Sequence, residues 1–374
     1  MAISSLEEIA KCRRLVVKIG SALLVQEGEP RKVWLASLAK ELAETRANGT
    51  EIVIVSSGAI ALGAARLGLE KGGRASLADA QAAAAVGQIA LAEIWSEGLG
   101  EHDITVAQLL LTLEDLEDRR RYLNASATLA RLIDAGAIPV VNENDTVATE
   151  EIRFGDNDRL AARVAQAAGA DGMLLLSDVD GLFDRHPSDP AAELVELVET
   201  TDDEVRAMAS DNSGSGLGRG GMVSKIQAAE IAQRAGITLA IINGTHEAPI
   251  GKAVEANCGT IFMPQRSDSA RKAWLGGRLA AGGTLHVDEG CAKAISNGGA
   301  SLLAVGITSV DGAFQRGDLV EICGPDGARL AQGLSEYDAV ICRRIAGLRE
   351  DHQAKILGYA PRSAVIHRDH MVML

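Results

Sequence analysis

The chain has 374 residues, a length typical of two domains, and 47% of them are hydrophobic, enough to form a buried core. The formal net charge is −14 and only 3% of the residues are aromatic. Both values argue against a protein that binds nucleic acid or anionic membranes with its whole surface. The 40 glycines against 8 prolines predict tight turns and close backbone approaches rather than disorder.

The cysteines and the N-terminal residues indicate the cellular location of the protein. The five cysteines are odd in number and form no Cys-x-x-Cys pair, so we expect neither a disulfide framework nor a zinc site. Residues 1–14 carry mixed charges without an apolar signal core, and no run approaches the roughly 18 apolar residues that span a bilayer. We therefore expect a cytoplasmic protein.

Short apolar runs alternate with amphipathic stretches over residues 10–265. The predicted strands are 15–19, 51–55, 104–111, 138–141, 173–176 and 237–242. The predicted helices are 32–48, an alanine-rich stretch ending at Gly68, 76–97, 115–135, 158–168 and 222–235. This alternation predicts an α/β fold with a mostly parallel open sheet sandwiched by helices.

The pattern changes after Trp274. Residues 276–283 (GGRLAAGG) are typical of a linker, and β-like runs follow at 284–287, 302–305, 318–322 and 364–367, with a Gly-Pro-Asp-Gly turn at 324–327. We predict a first domain over residues 1–265, a linker over 266–283 and a smaller, β-rich C-terminal domain over 284–374. From residue 276 onward there are 10 Lys and Arg against 11 Asp and Glu, a net charge of −1.

Small and polar residues follow four of the predicted strands. They are Lys18-Ile19-Gly20-Ser21, Ser56-Ser57-Gly58-Ala59, Asn142-Glu143-Asn144-Asp145 and Ser177-Asp178. Ligands of open α/β sheets bind beyond the carboxyl ends of the strands, so four such ends predict one site. Glycine turns can present backbone amides to anionic oxygen, although a single one is more simply a tight turn. Lys18 interrupts an apolar strand, which favours a phosphate-facing charge over a lysine that merely reaches solvent.

Two further segments open helices with polar or glycine-rich sequence. Residues 214–222 (GSGLGRGGM) precede Ser224 and Lys225; they match neither a P-loop nor a well-placed dinucleotide motif, yet a glycine loop before a helical lysine suits a polyphosphate. The alternative is a surface loop. In residues 154–160 (FGDNDRL), Asp156 or Asn157 can be an N-cap, but three polar groups in a row favour ligand contacts. The histidines lack metal-binding spacing, so we expect His367 and His370 to be polar tail residues.

Five motifs together resemble the amino acid kinase family: Lys18-Ile19-Gly20-Ser21, Ser56-Ser57-Gly58-Ala59-Ile60, Asn142-Glu143-Asn144-Asp145, Gly155-Asp156-Asn157-Asp158 and residues 218–225 (GRGGMVSK). The β-rich tail is similar to a PUA domain. The resemblance covers essentially the whole chain, and the order and spacing of the motifs carry it. It implies that ATP, with Mg²⁺, phosphorylates the γ-carboxylate of L-glutamate, the first step of proline biosynthesis. It also implies a homo-oligomer, a dimer or tetramer, with feedback inhibition by proline.

The resemblance also implies roles for individual residues. Lys18, Lys225 and Asp158 correspond to catalytic residues, and Asp158 is the one that orients the two lysines. The implied glutamate contacts are Ser57, Asp145 and Asn157. The implied ATP contacts are Lys18, Gly20, Ser21, Ser177, Asp178, Arg219, Gly220, Gly221, Met222, Val223, Ser224 and Lys225. Ser177 replaces an expected threonine, and Arg219 replaces an expected small hydroxyl residue, which leaves the contact at that position open.

Three alternatives stay open. The first is another amino acid kinase, acting on N-acetylglutamate, aspartate or carbamate, which the C-terminal domain disfavours. The second is an RNA-binding or RNA-modifying protein led by that domain, which its near-neutral charge and few aromatic residues do not support. The third is a non-catalytic amino-acid sensor, which the intact lysine pair disfavours.

Overall fold

The structure, a computed structural model, describes residues 3–147, 156–211, 221–265, 281–297 and 299–374. The chain divides into two compact units, residues 1–118 with 124–265 and residues 119–123 with 266–374. The sequence-based boundaries at 265 and 284 stay a prediction, and most of the predicted linker lies outside the described residues. Within the described ranges, no helix is long and apolar enough to cross a bilayer.

The elements up to residue 265 alternate between strands and helices. The strands are β1 (Arg14–Ile19), β2 (Val25–Gln26), β3 (Glu29–Pro30), β4 (Glu51–Ser56), β5 (Val106–Leu111), β6 (Ile138–Glu143), β7 (Gly172–Ser177), β8 (Leu197–Val198), β9 (Thr238–Asn243) and β10 (Thr260–Phe262). The helices are α1 (Leu6–Ala10), α2 (Ser21–Leu24), α3 (Lys32–Ala47), α4 (Ala59–Leu67), α5 (Leu77–Gly100), α6 (Leu113–Glu117), α7 (Arg119–Asp134), α8 (Asp156–Ala168), α9 (Asp203–Asp211), α10 (Gly221–Ala235) and α11 (Pro249–Ala256).

Eight strands form the sheet of the first unit, in the order β5-β6-β4-β1-β7-β9-β10-β8. The six strands from β5 to β9 in this order are parallel, and β10 runs antiparallel to β9. The predicted α/β fold with a mostly parallel sheet is confirmed. Strands such as β7 are buried along their whole length, which explains their continuous apolar runs.

The sheet order brings the predicted polar strand ends together. β1 lies between β4 and β7, and Lys18 is in register with Val55 on one side and Leu175 on the other. β6 lies on the far side of β4. The carboxyl ends of β6, β4, β1 and β7 are therefore neighbours at one edge of the sheet, and each of them is followed by one of the polar segments noted above.

Helices α4 and α5 pack so closely that two glycines are required where they meet. A Cβ atom on Gly63 would lie 1.8 Å from the Ala83 carbonyl oxygen, and a Cβ on Gly87 would lie 1.7 Å from the Ala59 carbonyl oxygen. Ala59 is the first residue of α4. The glycines thus set the position of the N-terminus of α4 as well as the distance between the helices.

We expect Gly87→Ala to lower the free energy of unfolding by about 1–3 kcal/mol, the usual cost of forcing an extra methyl group into a packed site. Chemical denaturation measures this change. Gly98→Ala, on the same helix, is the matched control: its Cβ would meet Ala39 at an ordinary 3.7 Å. It should instead stabilise the helix by about 0.5–1 kcal/mol. Equal effects of the two substitutions would contradict the packing described here.

The prediction of one continuous helix over residues 115–135 is wrong. The structure has α6 and α7, separated by Asp118 in an extended conformation. α6 begins with a capping box, in which Thr112 accepts from the Asp115 amide and the Asp115 side chain accepts from the Thr112 amide. Asp118 interrupts the helical backbone just before α7, a position where aspartate is favoured.

The second unit contains a five-stranded sheet, and its predicted β-rich character is confirmed. Its strands are β11 (Gly283–Val287), β12 (Ile307–Gly312), β13 (Leu319–Cys323), β14 (Arg329–Leu334) and β15 (Met371–Met373), in the order β12-β11-β13-β14-β15. Three helices that were not predicted accompany it: α12 (Glu289–Ser296), α13 (Ala339–Ile345) and α14 (Glu350–Leu357). The predicted turn at residues 324–327 joins β13 to β14.

Two predicted strands of this unit are wrong. Residues 302–305 and 364–367 share only an isolated bridge between Leu302 and Ile366, and a 3₁₀ turn over Ala304–Gly306 includes the end of the first run. Leu302, Ala304, Val365 and Ile366 are buried in the core of the unit without forming a ladder, whereas Leu303 and Val305 are exposed. His370, expected to be a polar tail residue, is also buried, with Nδ1 3.8 Å from a Glu336 carboxylate oxygen.

Candidate active site

A cleft of about 260 Å³ lies at the carboxyl ends of β6, β4, β1 and β7. The structure brings most of the predicted site residues into its lining. These are Lys18, Gly20, Ser21, Ser57, Asp145, Asn157, Asp158, Ser177, Asp178, Gly221, Ser224 and Lys225. Residues from four strand ends and from the first turns of α8 and α10 thus face one space, as expected for a ligand site of an open α/β sheet.

Asp158 is the centre of the cationic half of the cleft. Its Oδ1 atom forms an ion pair with Lys18, and its Oδ2 atom lies 3.5 Å from Lys225 Nζ and accepts a hydrogen bond of 2.8 Å from Ser224 Oγ. Asp158 is 1% exposed and Lys18 is 7% exposed. One buried carboxylate therefore holds two lysines that are far apart in the sequence, and both ammonium groups face the same cleft.

The environment of this carboxylate keeps it ionised. Burial alone would raise the pKa of Asp158, but the positive charges of Lys18 and Lys225 outweigh it and lower the pKa from 3.8 to about 2. Burial lowers the pKa of Lys225, and the neighbouring Lys18 adds to that effect while Asp158 opposes it. The triad is a desolvated charge cluster with one more positive than negative charge, which suits an anionic ligand.

A second group of residues that line the cleft is polar and anionic. Asn157 Nδ2 donates to Ser57 Oγ at 2.7 Å and to Asn142 Oδ1 at 3.4 Å. Its Oδ1 atom is buried and accepts no hydrogen bond from any residue that the structure describes. Asp145 is 6% exposed and lines the same cleft. An orphaned buried acceptor beside a buried carboxylate is a place where a ligand's hydrogen-bond donor, such as an ammonium group, is expected.

The N-terminus of α4 also lines the cleft. Gly58 precedes it with φ of +116°, a left-handed conformation that favours glycine. The buried Ser56 before it accepts a hydrogen bond of 2.9 Å from Trp95 Nε1, which fixes the end of β4 against α5. Ala59, Ile60 and Ala61 line the cleft at the start of the helix, where backbone amides have no helical partner and can face an anion.

The glycine-rich segment is only partly within the described residues. α10 begins at Gly221, and Lys225 Nζ donates to the Gly221 carbonyl oxygen at 3.1 Å. Met222 and Val223 are described and do not line the cleft, and Val223 is 37% exposed. Arg219 and Gly220, like the rest of residues 212–220, lie outside the described residues, as do Phe154 and Gly155. Their predicted contacts stay predictions.

Three lining residues with polar or charged side chains were not among the predicted site residues: Arg74, Asn142 and Glu143. Asn142 and Glu143 are the last residues of β6, and Asp145 follows two residues later, so their strand-end position was the available signal. Arg74 follows Gly72 and Gly73 in a connection between two alanine-rich helices. No strand end or motif marks it, and only its place after a glycine pair distinguishes it from other surface arginines.

Comparison with known proteins places this architecture in a family. The model of the amino acid kinase family matches residues 13–243, more than half of the chain. The chain belongs to the amino acid kinase family. A PUA domain model matches residues 283–357 of this kinase, in the second unit.

Several curated relatives span nearly the whole length of this amino acid kinase. Glutamate 5-kinase of Novosphingobium aromaticivorans is 61% identical over 100% of this chain and 99% of the relative. Glutamate 5-kinase of Sphingopyxis alaskensis is 59% identical over 98% of both chains. Glutamate 5-kinase of Zymomonas mobilis is 52% identical over 97% of this chain and 92% of the relative.

Proposed function

We propose that this chain transfers the γ-phosphoryl group of ATP to the γ-carboxylate of L-glutamate, which gives L-glutamyl 5-phosphate and ADP, the first step of proline biosynthesis. The observation that carries the proposal is the buried Asp158, which holds Lys18 and Lys225 at one cleft. Full-length relatives named glutamate 5-kinase support the choice of substrate.

The acceptor in this reaction needs no general base. A γ-carboxylate with a reference pKa of about 4.3 is already ionised at neutral pH. The barrier comes instead from repulsion between the carboxylate and the anionic γ-phosphate, and from the need to align them for an in-line displacement. A carboxylate oxygen forms the new bond to phosphorus, and ADP departs with the electron pair of the broken bond. Catalysis then depends on positioning and on neutralisation of charge.

Lys18 and Lys225 supply that neutralisation in our proposal. With ATP bound, their ammonium groups would contact the phosphate oxygens, and Asp158 would hold both in place. The amides of Gly20 and Ser21 after β1 lie at the same cleft and can add hydrogen bonds to phosphate. We propose the end of β7, with Ser177 hydrogen-bonded to Asp178 at 3.2 Å, as a further part of the nucleotide site.

Mg²⁺ enters this scheme as part of the Mg·ATP substrate. No group of three or more His, Cys, Asp or Glu side chains that could hold a metal ion occurs in the part of the chain that the structure describes. Magnesium in phosphoryl-transfer sites is commonly bound through substrate phosphates and water with only one or two carboxylates. The chemistry it supplies when bound is shielding of phosphate charge.

The amino-acid substrate would lie between β4, β6 and the start of α8. Asp145 and the unpartnered Oδ1 atom of Asn157 are the acceptors proposed for its ammonium group. Ser57, already held by Asn157, is the third proposed contact. This placement directs the γ-carboxylate toward Lys18 and the terminal phosphate.

We expect Asp145→Asn to raise KM for L-glutamate by about tenfold or more, since a charge-assisted hydrogen bond to the ammonium is lost. Because Asp145 does not contact the lysines in this scheme, kcat should change little. Steady-state kinetics with varied glutamate measures both constants. Asp103→Asn, at an exposed turn, is the control. An unchanged KM would remove Asp145 from the substrate site.

Hydroxylamine trapping tests the proposed reaction directly. The acyl phosphate product forms a coloured hydroxamate, and the panel comprises L-glutamate, N-acetyl-L-glutamate, L-aspartate and carbamate, each with Mg·ATP. We expect ATP-dependent hydroxamate from L-glutamate and much less from the others. Preferred use of another member would assign the chain to a different amino acid kinase activity. ADP formation that is independent of every acceptor would contradict the proposal.

Other functional predictions rest on the family resemblance alone. They are feedback inhibition by proline, assembly into a dimer or tetramer, and RNA as a partner of the PUA domain. The cytoplasmic location, inferred from the cysteines and the apolar pattern, also stays a prediction. The formal charge of −1 over residues 276–374 does not support strong RNA binding. A salt-dependent mobility shift of RNA by the full-length protein would favour that partner.

A further inference from the structure

The cleft contains a third cation that the phosphate chemistry does not use. Among the described residues that line it, Lys18 and Lys225 both face Asp158, whereas Arg74 belongs to the turn between α4 and α5. Arg74 lines the cleft together with Asp145 and Asn157, the proposed amino-acid side.

The backbone before Arg74 is shaped to bring this side chain to the cleft. Lys71, Gly72 and Gly73 have φ of 51°, 60° and 75°, three left-handed residues in succession. Gly73 is buried, and a Cβ there would lie 2.9 Å from Ala64 Cβ and 3.1 Å from Ala83 Cβ. The turn therefore packs closely against α4 and α5. Within the turn, the Arg74 amide donates a hydrogen bond of 3.3 Å to the Lys71 carbonyl oxygen.

Charge links Arg74 to Asp145. Burial lowers the pKa of the Arg74 guanidinium, and the negative charge of Asp145 opposes that shift. A carboxylate and a guanidinium that interact with each other and line one cleft are complementary to the head of an α-amino acid, which carries an ammonium and a carboxylate on one carbon. The guanidinium fork can bind a carboxylate through two parallel hydrogen bonds.

We propose that Arg74 binds the α-carboxylate of the amino-acid substrate and selects acceptors that carry this group. The inference rests on the proposed function. L-Glutamate has three charged groups, and the cleft then has a counterpart for each: Asp145 for the ammonium, Arg74 for the α-carboxylate, and the Lys18 side for the γ-carboxylate that is phosphorylated. The arginine discriminates against acceptors that lack the α-carboxylate, and it takes no part in phosphoryl transfer.

Two truncated ligands test this assignment with Arg74→Ala. 4-Aminobutyrate is glutamate without the α-carboxylate, and glutarate is glutamate without the ammonium, so each is used as a competitive inhibitor against L-glutamate. We expect Arg74→Ala to raise KM for L-glutamate and Ki for glutarate by about tenfold or more, while Ki for 4-aminobutyrate and kcat stay within about twofold. Arg74→Lys should recover part of the lost binding of L-glutamate and glutarate, because lysine keeps the positive charge but lacks the two parallel donors of the guanidinium.

Arg66→Ala is the matched control, since Arg66 is an exposed arginine on α4 that lies 3.9 Å from Glu93. An unchanged KM for L-glutamate in Arg74→Ala would overturn the inference. Equal weakening of all three ligands would also overturn it, because it would indicate a general distortion of the cleft. Absence of glutamyl hydroxamate with the unmodified protein would instead contradict the proposed function, so the two failures are distinguishable.

Discussion

Replacing Lys18 or Lys225 with alanine is expected to lower kcat about 10²-fold or more. Each ammonium group lies at one oxygen of the buried Asp158 and faces the cleft, where it would meet the charge that builds up on the transferring phosphoryl group. Loss of one preorganised charge contact raises the activation free energy by about 2.7–4 kcal/mol. The rate of hydroxamate formation at saturating ATP and L-glutamate measures the change.

The control for these substitutions is Lys40→Ala. Lys40 is exposed on α3, where its ammonium lies 3.9 Å from Glu44, so its removal should leave kcat and Tm nearly unchanged. The two active-site variants should fold, because Asp158 keeps one lysine partner in each of them. Near-normal turnover in both Lys18→Ala and Lys225→Ala would contradict the proposed role of the pair.

Asp158→Asn is expected to reduce both stability and turnover. The substitution leaves two largely buried lysines without their common counter-ion, and breaking a buried ion pair in this way costs about 3–5 kcal/mol. The lysines would also lose the group that orients them toward one ligand. Urea denaturation gives the stability change and the hydroxamate assay gives kcat. Asp134→Asn, at the exposed end of α7, is the control and should change neither.

The pH dependence of this stability has a defined sign. The pKa of Asp158 falls from 3.8 to about 2 on folding, so ionisation of this group stabilises the folded state. The difference corresponds to about 2 kcal/mol, fully present above pH ~4 and lost as the pH falls toward ~2. The stability gap between the unmodified protein and Asp158→Asn should therefore be constant near neutrality and shrink below pH ~4. A stability difference that grows at acidic pH would contradict the pairing of Asp158 with the two lysines.

Much of the site could be predicted because its chemistry follows strand ends. Lys18, Ser57 and Asp145 each come directly after, or at the end of, a strand with a strong apolar signal, and the carboxyl ends of parallel strands share one edge. The neighbour order of the strands could not be predicted in the same way. It depends on packing between distant segments. The pairing of Asp158 with Lys18 and Lys225 depends on such packing too, and only the family resemblance, not the strand pattern, implied it.

The failures have local physical causes. Asp288 and Asp338 are the N-caps of α12 and α13, and their side chains accept from the amides of Cys291 and Ile341. Helices of eight and seven residues nevertheless have too few turns to give a clear periodicity in the sequence. Arg74 was missed because its position depends on how tightly Gly73 packs against two helices. Such a contact has no counterpart in a one-dimensional pattern.

A crystal structure with a non-hydrolysable ATP analogue, Mg²⁺ and L-glutamate tests the central claim most directly. We predict that the Nζ atoms of Lys18 and Lys225 both lie about 2.7–2.9 Å from oxygens of the β- or γ-phosphate, with Asp158 between them. The γ-carboxylate of glutamate should face the terminal phosphorus from the side of β4. A complex in which either ammonium group points away from the triphosphate would contradict the account.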